Sequence, residues 1–326
     1  MKIFKVLLSA VIFVSLAVDA KEQKHYSLTD ADVTVVRGVI TASTLTDQAG
    51  ENYRPNIVIA GTLDDQKITG IGDRVFQAKG LASVKLPAEL TSIGNFAFQN
   101  NRLTEVDLPD SLTTIGEGAF EFNGITHVDF PAGITRIADW AFATNSVVEV
   151  TWPDGLTAVG DSAFRDNSLI VVDLPAGATS IGEFSFQNNR IIQVNFPAGL
   201  TTIEHSAFNV NFLTHVDLPA GLKVIEDSAF RDNRLTSIEL PEGLESIGYK
   251  SFLANRLTQV ELPASLNYIG EEVFKINEGF EGFTLPESTI DGSEVKWQEG
   301  SGVVVQGGYF VKPEDFEKSY TVIVKE

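Results

Sequence analysis

The chain has 326 residues, of which 43% are hydrophobic, so it can bury a continuous core. Acidic residues outnumber basic ones by 44 to 24, for a formal net charge of −20. This argues against binding to nucleic acid, which requires a basic surface. Cysteine is absent, which excludes disulfides and thiol chemistry.

The first 20 residues have the features of a secretory signal peptide. Lys2 and Lys5 precede an apolar run over residues 6–18, which is too short to cross a bilayer, and Ala20 is a small residue at the expected cleavage site. We therefore predict that residues 1–20 are removed, that no membrane span remains and that the protein is secreted or lies at the cell surface.

Residues 21–56 lack the regular pattern that follows, and we interpret them as an N-terminal cap. Residues 32–41 are predicted to form two short strands with Arg37 and Gly38 at the turn. A cap is expected here because the first coil of a repeat structure otherwise exposes an unpaired strand edge and apolar core.

Residues 57–290 are built from one repeated unit. Proline recurs every 22 residues from Pro87 to Pro263, and phenylalanine recurs at the same interval from Phe76 to Phe274. In the copy that starts at Leu103, the run Leu-x-x-Val-x-Leu ends at Pro109, which cannot donate to a strand ladder. This period and run predict a leucine-rich-repeat solenoid of about ten 22-residue coils, with a parallel β-sheet on the concave face.

Two further columns of the repeat are predicted to be structural. The phenylalanine column is expected to form a stacked spine in the core. An asparagine that satisfies buried backbone groups is expected to close each coil. The closing residues are Asn101, Asn123, Asn145, Asn167, Asn189, Asn211, Asn233, Asn255 and Asn277.

The unit Leu-x-x-Val-x-Leu-Pro-x-x-Leu-x-x-Ile-Gly-x-x-Ala-Phe-x-x-Asn resembles the BspA-like (Treponema-type) leucine-rich repeats of bacterial surface proteins. The resemblance covers residues 57–286, although that family often has 23 residues per unit and Cys or Asn at the closing position. It implies a role as an adhesin or interaction protein of host-associated bacteria. A repeat fold alone does not identify a ligand.

After Pro286 the repeat stops, and residues 291–326 are predicted to form a C-terminal β cap or a small β module. The segments 292–297, 302–311 and 320–324 are interpreted as short strands joined by glycine turns. Such a segment would cover the last coil.

Candidate binding residues lie at the third and fifth positions of each unit, which face outward from the predicted sheet. Their acidic character favours a basic partner, a protein or glycan at the cell surface or in host matrix. The candidates are Glu105, Asp107, His127, Asp129, Glu149, Asp173, Gln193, Asn195, His215, Asp217, Glu239 and Glu261.

No cofactor or metal is predicted, with one alternative. Glu105, Asp107 and Asp129 lie within two coils of one another, and carboxylate oxygens are ligands for Ca²⁺. A solvated acidic face explains the same residues without a metal, and the sequence has no EF-hand loop that favours the Ca²⁺ site.

A candidate aromatic patch occupies one position in every second coil, at Phe96, Trp140 and Phe184, with Gly118 and Ser162 between them. An exposed aromatic row could stack on sugar rings or meet a protein partner. Alternatively, the rings cover the small residues of the neighbouring coils.

The sequence predicts an interaction protein and not an enzyme. His127 and His215 share a column but are four coils apart, so they cannot serve one substrate, and no nucleophile or phosphate-binding motif is present. Two alternatives stay open: a structural spacer of the cell envelope without a dedicated ligand, and, less favoured, a glycan-active enzyme that uses adjacent carboxylates such as Asp107 and Asp129.

Overall fold

The structure is a computed structural model that describes residues 25–46, 53–280, 282–285, 303–304 and 321–324. It is a parallel β-solenoid of about nine turns with about 22 residues each, and the described residues include no helix. The predicted leucine-rich-repeat solenoid is confirmed. The predicted signal peptide, residues 1–20, and most of the predicted C-terminal region, 291–326, lie outside the described residues.

The strands before the regular coils are β1 (Tyr26–Ser27), β2 (Val33–Val36), β3 (Val39–Ser43), β4 (Asn56–Val58), β5 (Thr62–Leu63), β6 (Gln66–Lys67) and β7 (Gly70–Ile71). The regular coils contribute β8 (Ser83–Lys85), β9 (Ser92–Ile93), β10 (Thr114–Ile115), β11 (His127–Asp129), β12 (Arg136–Ile137), β13 (Glu149–Thr151), β14 (Ala158–Val159), β15 (Val171–Asp173), β16 (Ser180–Ile181), β17 (Gln193–Asn195), β18 (Thr202–Ile203), β19 (Val224–Ile225), β20 (Ser246–Ile247), β21 (Gln259–Glu261) and β22 (Tyr268–Ile269). The last strands are β23 (Gly282–Leu285), β24 (Val303–Val304) and β25 (Thr321–Val324).

The coils form two faces of parallel strands, which we call the front sheet and the second sheet. The front sheet is interrupted, because the stretches 105–107, 215–217 and 237–239 contain no strand. In the front sheet, β11 pairs with β13 so that His127 lies opposite Glu149. In the second sheet, β12 pairs with β14 so that Arg136 lies opposite Ala158. Both registers join residues 22 positions apart, because the repeat places equivalent residues side by side in neighbouring coils.

The front sheet consists of the strands that the repeat predicts, whereas the second sheet is not among the predictions. The sequence analysis assigned one strand to each coil, but the structure places Thr114 and Ile115 in β10. Strands of two residues are too short to show the alternation of apolar and polar residues by which a strand is recognised.

The remaining side of each coil is a turn segment, defined as the residues between the second strand and the closing asparagine, such as 116–122. Its backbone N–H groups at Gly118 and Phe120 donate to carbonyls of the following coil at 2.9 Å each. Gly116 N–H instead donates to the Ile93 carbonyl of the preceding coil at 2.8 Å. Backbone hydrogen bonds therefore join the coils on every side.

The predicted phenylalanine spine is confirmed. Neighbouring rings from Phe76 to Phe274 stack with centroids 5.3 to 5.9 Å apart and planes within 18° of parallel. From Phe76 to Phe252 each ring is fully buried, so the column is core and offers no ligand a binding surface.

The predicted asparagine ladder is also confirmed. Asn189 is 5% exposed, and its Oδ1 accepts the Leu169 N–H at 3.0 Å. Its Nδ2 donates to the carbonyls of Phe164 in the preceding coil, at 2.9 Å, and Phe186 in its own coil, at 3.2 Å. One side chain thus satisfies backbone groups of two coils at the buried corner where the chain returns to the front sheet.

The predicted N-terminal hairpin is present as β2 and β3, which pair antiparallel. Arg37 and Gly38 form its turn with φ of 53° and 78°, and a Cβ on Gly38 would stand 2.6 Å from the Lys67 carbonyl oxygen. Strand β3 pairs with β7 of the second sheet, while β1 pairs with β4 of the front sheet. The N-terminal segment therefore continues both sheets beyond the first coil.

At the other end, β24 pairs with β22 and β25 pairs with β23. These strands fall in two of the three predicted C-terminal segments and extend both sheets; the third segment, 292–297, lies outside the described residues. Nothing helical in the described part of the chain has the length and apolar character that a membrane crossing needs.

We predict that Asn189→Ala lowers the free energy of unfolding by about 2 to 4 kcal/mol, because it leaves buried backbone groups of two coils without partners. The midpoint of urea unfolding measures the effect. Asn195→Ala is the control, since Asn195 is exposed on the front sheet, and it should change the midpoint little. Equal effects of the two substitutions would contradict this role of the ladder.

Candidate interaction surface

The front face, which comprises the front strands and the equivalent stretches 105–107, 215–217 and 237–239, presents all twelve predicted binding residues to solvent. Along β15, Val171 and Asp173 are exposed while Val172 between them is buried, and the other front strands alternate in the same way. The exposed residues are Glu105, Asp107, His127, Asp129, Glu149, Asp173, Gln193, Asn195, His215, Asp217, Glu239 and Glu261.

Neutral donors separate several carboxylates of the fifth-position column. Thr151 Oγ1 donates to Asp129 Oδ1 at 2.6 Å, and Asn195 Nδ2 donates to Asp173 Oδ1 at 3.2 Å. These hydrogen bonds reduce the repulsion between like charges on adjacent coils. In this column, acidic side chains therefore alternate in part with neutral side chains that hydrogen-bond to them.

The front face carries few basic side chains to offset these carboxylates. Lys85 of β8 is exposed at the fifth position in the coil before Asp107. From residue 103 to 262, neither outward position of the front face holds lysine or arginine. His215 Nε2 lies 2.9 Å from Asp217 Oδ1, within its own strand segment. A partner approaching this face therefore meets negative charge, which favours basic groups at short range.

The Ca²⁺ alternative receives no geometric support from the described residues. Among them, no group of three or more His, Asp or Glu side chains is arranged to hold a metal ion, and Glu105, Asp107 and Asp129 therefore do not form one. A bound Ca²⁺ needs about six to eight converging oxygens.

The four histidines do not form a common site. His25 Nε2 lies 3.2 Å from Ser83 Oγ, His127 Nδ1 lies 3.0 Å from Thr126 Oγ1, and His215 contacts Asp217. The His205 ring instead packs edge-on against Phe184 with a centroid distance of 4.8 Å. The structure brings none of these imidazoles together for shared acid–base chemistry.

The predicted aromatic patch lies in the turn segments and is half-buried. A Cβ on Gly118 would stand 2.5 Å from Phe96 Cδ1, so the Phe96 ring covers that glycine, and the Arg74 guanidinium lies 4.9 Å from the ring centroid. The Arg165 guanidinium lies 5.8 Å from the Trp140 ring. It also lies 6.0 Å from Phe184.

These contacts favour the structural interpretation of the aromatic patch. Phe96, Trp140 and Phe184 have φ of 55° to 59°, a left-handed conformation that every coil repeats at this position. Ser162, between the last two rings, is 1% exposed. The small residues Gly118 and Ser162 lie between the rings, and the Phe96 ring covers Gly118, so the three half-buried rings do not form an open row.

We predict that Gly118→Ala lowers the free energy of unfolding by about 2 kcal/mol, because a Cβ is unfavourable at φ 54° and collides with the Phe96 ring. Urea unfolding again provides the measurement. Ser162→Ala is the matched control, since Ser162 has the same φ of 54° and already carries a Cβ. In a Phe96→Ala background the cost of Gly118→Ala should shrink; an unchanged cost would show that the ring is not involved.

In most coils a glycine directly follows the strand of the second sheet, but two adjacent coils have glutamate at this position. Most coils have glycine there, since a Cβ on Gly94 would stand 2.5 Å from Asp73 Oδ1 of the preceding coil. Glu204 and Glu226 occupy this position in adjacent coils. Burial raises the pKa of Glu204, and the charges of Glu226, Glu183 and Asp161 raise it further.

We predict that Glu204→Gln raises the urea midpoint at pH 7 and that this gain disappears on acidification. Because the folded-state pKa of Glu204 is raised above its ordinary 4.5, its favourable contribution is complete below that pH and is lost as the pH rises through the folded-state pKa. Unfolding curves at pH 4, 5.5 and 7 test this. Glu239→Gln, on the front face, is the control, and a gain for Glu204→Gln that does not depend on pH would contradict the assignment.

An exposed apolar cluster that is not among the predicted sites lies along the side of the front sheet where strands β15 and β17 begin. Five large apolar side chains between residues 170 and 212 are 37 to 53% exposed: Ile170, Val171, Ile192, Val210 and Phe212. The signal was present at the second position of the unit, which is threonine in most coils but valine or isoleucine in three successive ones: Val148, Ile170 and Ile192.

Comparisons with known proteins agree with the fold. The family described as BspA type leucine-rich repeat region matches in six copies over residues 69–192 and 157–281, which together exceed half of the chain. No curated protein matches the chain.

Several solved structures are similar to this one. The pneumococcal vaccine antigen PcpA has a TM-score of 0.52 and 20% identity, covering 81% of this chain and 72% of that chain. A leucine-rich cell surface protein from Faecalibacterium prausnitzii A2-165 has a TM-score of 0.46 and 22% identity, with coverages of 79% and 86%. At these identities the PcpA likeness shows the fold alone.

Proposed function

This chain belongs to the BspA-type leucine-rich repeat family, and from that membership we propose that it is a secreted or cell-surface interaction protein with an adhesin-like role. It binds a protein or glycan partner through the outward side chains of its solenoid. The observation that carries the proposal is the front face itself, where twelve exposed polar side chains stand in register across adjacent coils and no lysine or arginine lies at the outward positions from residue 103 to 262.

The mechanism is recognition by a preorganised surface. The stacked coils fix the backbone beneath the front face through hydrogen bonds and the buried spine, so binding requires little ordering of the protein. Charge complementarity then selects a partner with basic groups and accelerates its association. The proposal includes no chemical turnover, since the face is an open sheet without a water-excluding cleft around a carboxylate pair.

The test is binding of the purified chain to an array of extracellular-matrix proteins and glycans, with Ca²⁺ or with a chelator. We expect at least one matrix component to bind, more weakly at high salt. The triple variant Glu105→Gln, Asp107→Asn, Asp129→Asn should bind it about tenfold less tightly, a change equivalent to about 1.4 kcal/mol.

The matched control removes the same charge elsewhere. Asp110, Asp154 and Glu242 are exposed on the turns that follow the repeat prolines, so Asp110→Asn, Asp154→Asn, Glu242→Gln should leave binding unchanged. Equal binding by both triple variants would refute the acidic-face proposal. Failure of the wild-type chain to bind any component would favour the alternative of an envelope spacer.

A further inference from the structure

The exposed apolar cluster is one continuous surface, which we call the edge patch: Ile170, Val171, Ile192, Val210 and Phe212. Ile170 and Ile192 occupy the same position in adjacent coils, and the Ile192 N–H donates to the Ile170 carbonyl at 2.9 Å. The Phe212 N–H donates to the carbonyl of Ile191 at 2.9 Å, which places Phe212 beside Ile192. The patch therefore spans three consecutive coils.

The repeat does not require these apolar residues. At the second position, Thr126 and Thr236 fill the same place in other coils, and their hydroxyls lie 3.5 Å from the preceding carbonyl. At the position of Phe212, other coils have Gly124 or Ser168. Since the repeat accepts threonine, glycine or serine at these positions, the fold itself does not account for two isoleucines and a phenylalanine exposed in one place.

The two margins of the edge patch differ in charge: the front-sheet margin is acidic, whereas the opposite margin carries both an acidic and a basic residue, Asp166 and Arg190. On the front-sheet margin, Asp173 and Asp217 are exposed, and Val171 shares its strand with Asp173. On the opposite margin, Val210 and Phe212 border an open hollow of about 350 Å³ that is also lined by Asp166, Asn167, Ser168, Asn188, Asn189 and Arg190. Asp166 is already engaged there, because its Oδ1 accepts the Asn188 side-chain N–H at 2.7 Å.

Phe212 has the features of an interface anchor. The Arg234 guanidinium lies 4.1 Å from its ring centroid, which holds one face of the ring and leaves the side chain 37% exposed. Aromatic side chains fixed in this way bind a partner with little further loss of conformational freedom, and they are enriched at interface centres.

We propose that the edge patch is the docking site for a protein segment that carries apolar side chains next to lysine or arginine. The apolar side chains cover Ile170, Ile192 and Phe212, and the basic ones pair with the carboxylates of Asp173 and Asp217. The inference rests on the proposed function and refines it, because it assigns the partner to the protein class and extends its footprint from the acidic front face onto the adjoining edge.

The first experiment uses a displayed library of random 12-residue peptides, selected on the purified chain. We expect the selected peptides to combine aliphatic or aromatic residues with lysine or arginine. The patch variant Ile170→Thr, Ile192→Thr, Phe212→Ser introduces residues that other coils carry at these positions, so it should fold normally by circular dichroism. It should bind the selected peptides at least tenfold more weakly.

Two further variants test whether charge contributes to peptide binding and whether any exposed apolar side chain would serve equally well. Asp173→Asn with Asp217→Asn should weaken peptide binding several-fold and reduce its dependence on salt. Val36→Ser with Ile276→Ser is the matched control, because those side chains are 51% and 65% exposed but lie outside the edge patch. It should leave binding unchanged.

Each contrary outcome identifies what is wrong. Selection of acidic peptides, selection of none, or equal loss in the Val36→Ser, Ile276→Ser control would overturn the docking site. A wild-type dimer in light scattering that the patch variant converts to a monomer would assign the surface to a second copy of the chain instead. On the matrix array, binding that survives the patch variant but not the acidic-face variant would refute this inference while leaving the proposed function intact.

Discussion

The structure depends on one buried side chain per coil, the closing asparagine. At the corner where the turn segment returns to the front sheet, the chain cannot form a regular ladder, and several backbone groups face the interior. The asparagine amide accepts from one coil and donates to the carbonyls of two, as Asn167 does with Val147, Phe142 and Phe164. Because an unpaired buried backbone group is costly, these hydrogen bonds stabilise the corner and join each coil to the preceding one.

That constraint divides the molecule into residues that the fold requires and residues that it leaves free. The spine is buried in every regular coil, and most of the inward leucines and isoleucines and of the closing asparagines are buried too. The outward positions of the front sheet and the edge beside it vary from coil to coil, and there the chain places carboxylates and the edge patch. In a solenoid each column is a line of near neighbours, so a few substitutions in successive coils are enough to build a surface of one chemical character.

Individual elements show where prediction from sequence failed. The second sheet was missed because strands such as Ser92–Ile93 consist of two residues and show no alternation. The aromatic column at Phe96, Trp140 and Phe184 was placed correctly in the repeat, but its surroundings depend on Arg74 and Arg165, which lie one coil away in sequence and in contact in space. The edge patch was missed although its signal, isoleucine in a threonine column, was visible in the sequence.

The sequence by itself determined the solenoid, its period, the inward columns and the acidity of the front face, because a strict repeat forces equivalent residues into equivalent environments. Only the tertiary structure decided which outward residues are accessible and which neighbours they have. Phe96 and Phe212 are both aromatic departures from their columns, yet the first is folded over Gly118 and the second stands beside Ile192 with its ring partly in solvent. That difference arises from the backbone direction at each position and the volume left by the adjacent coil, and neither quantity can be read from the identity of one residue.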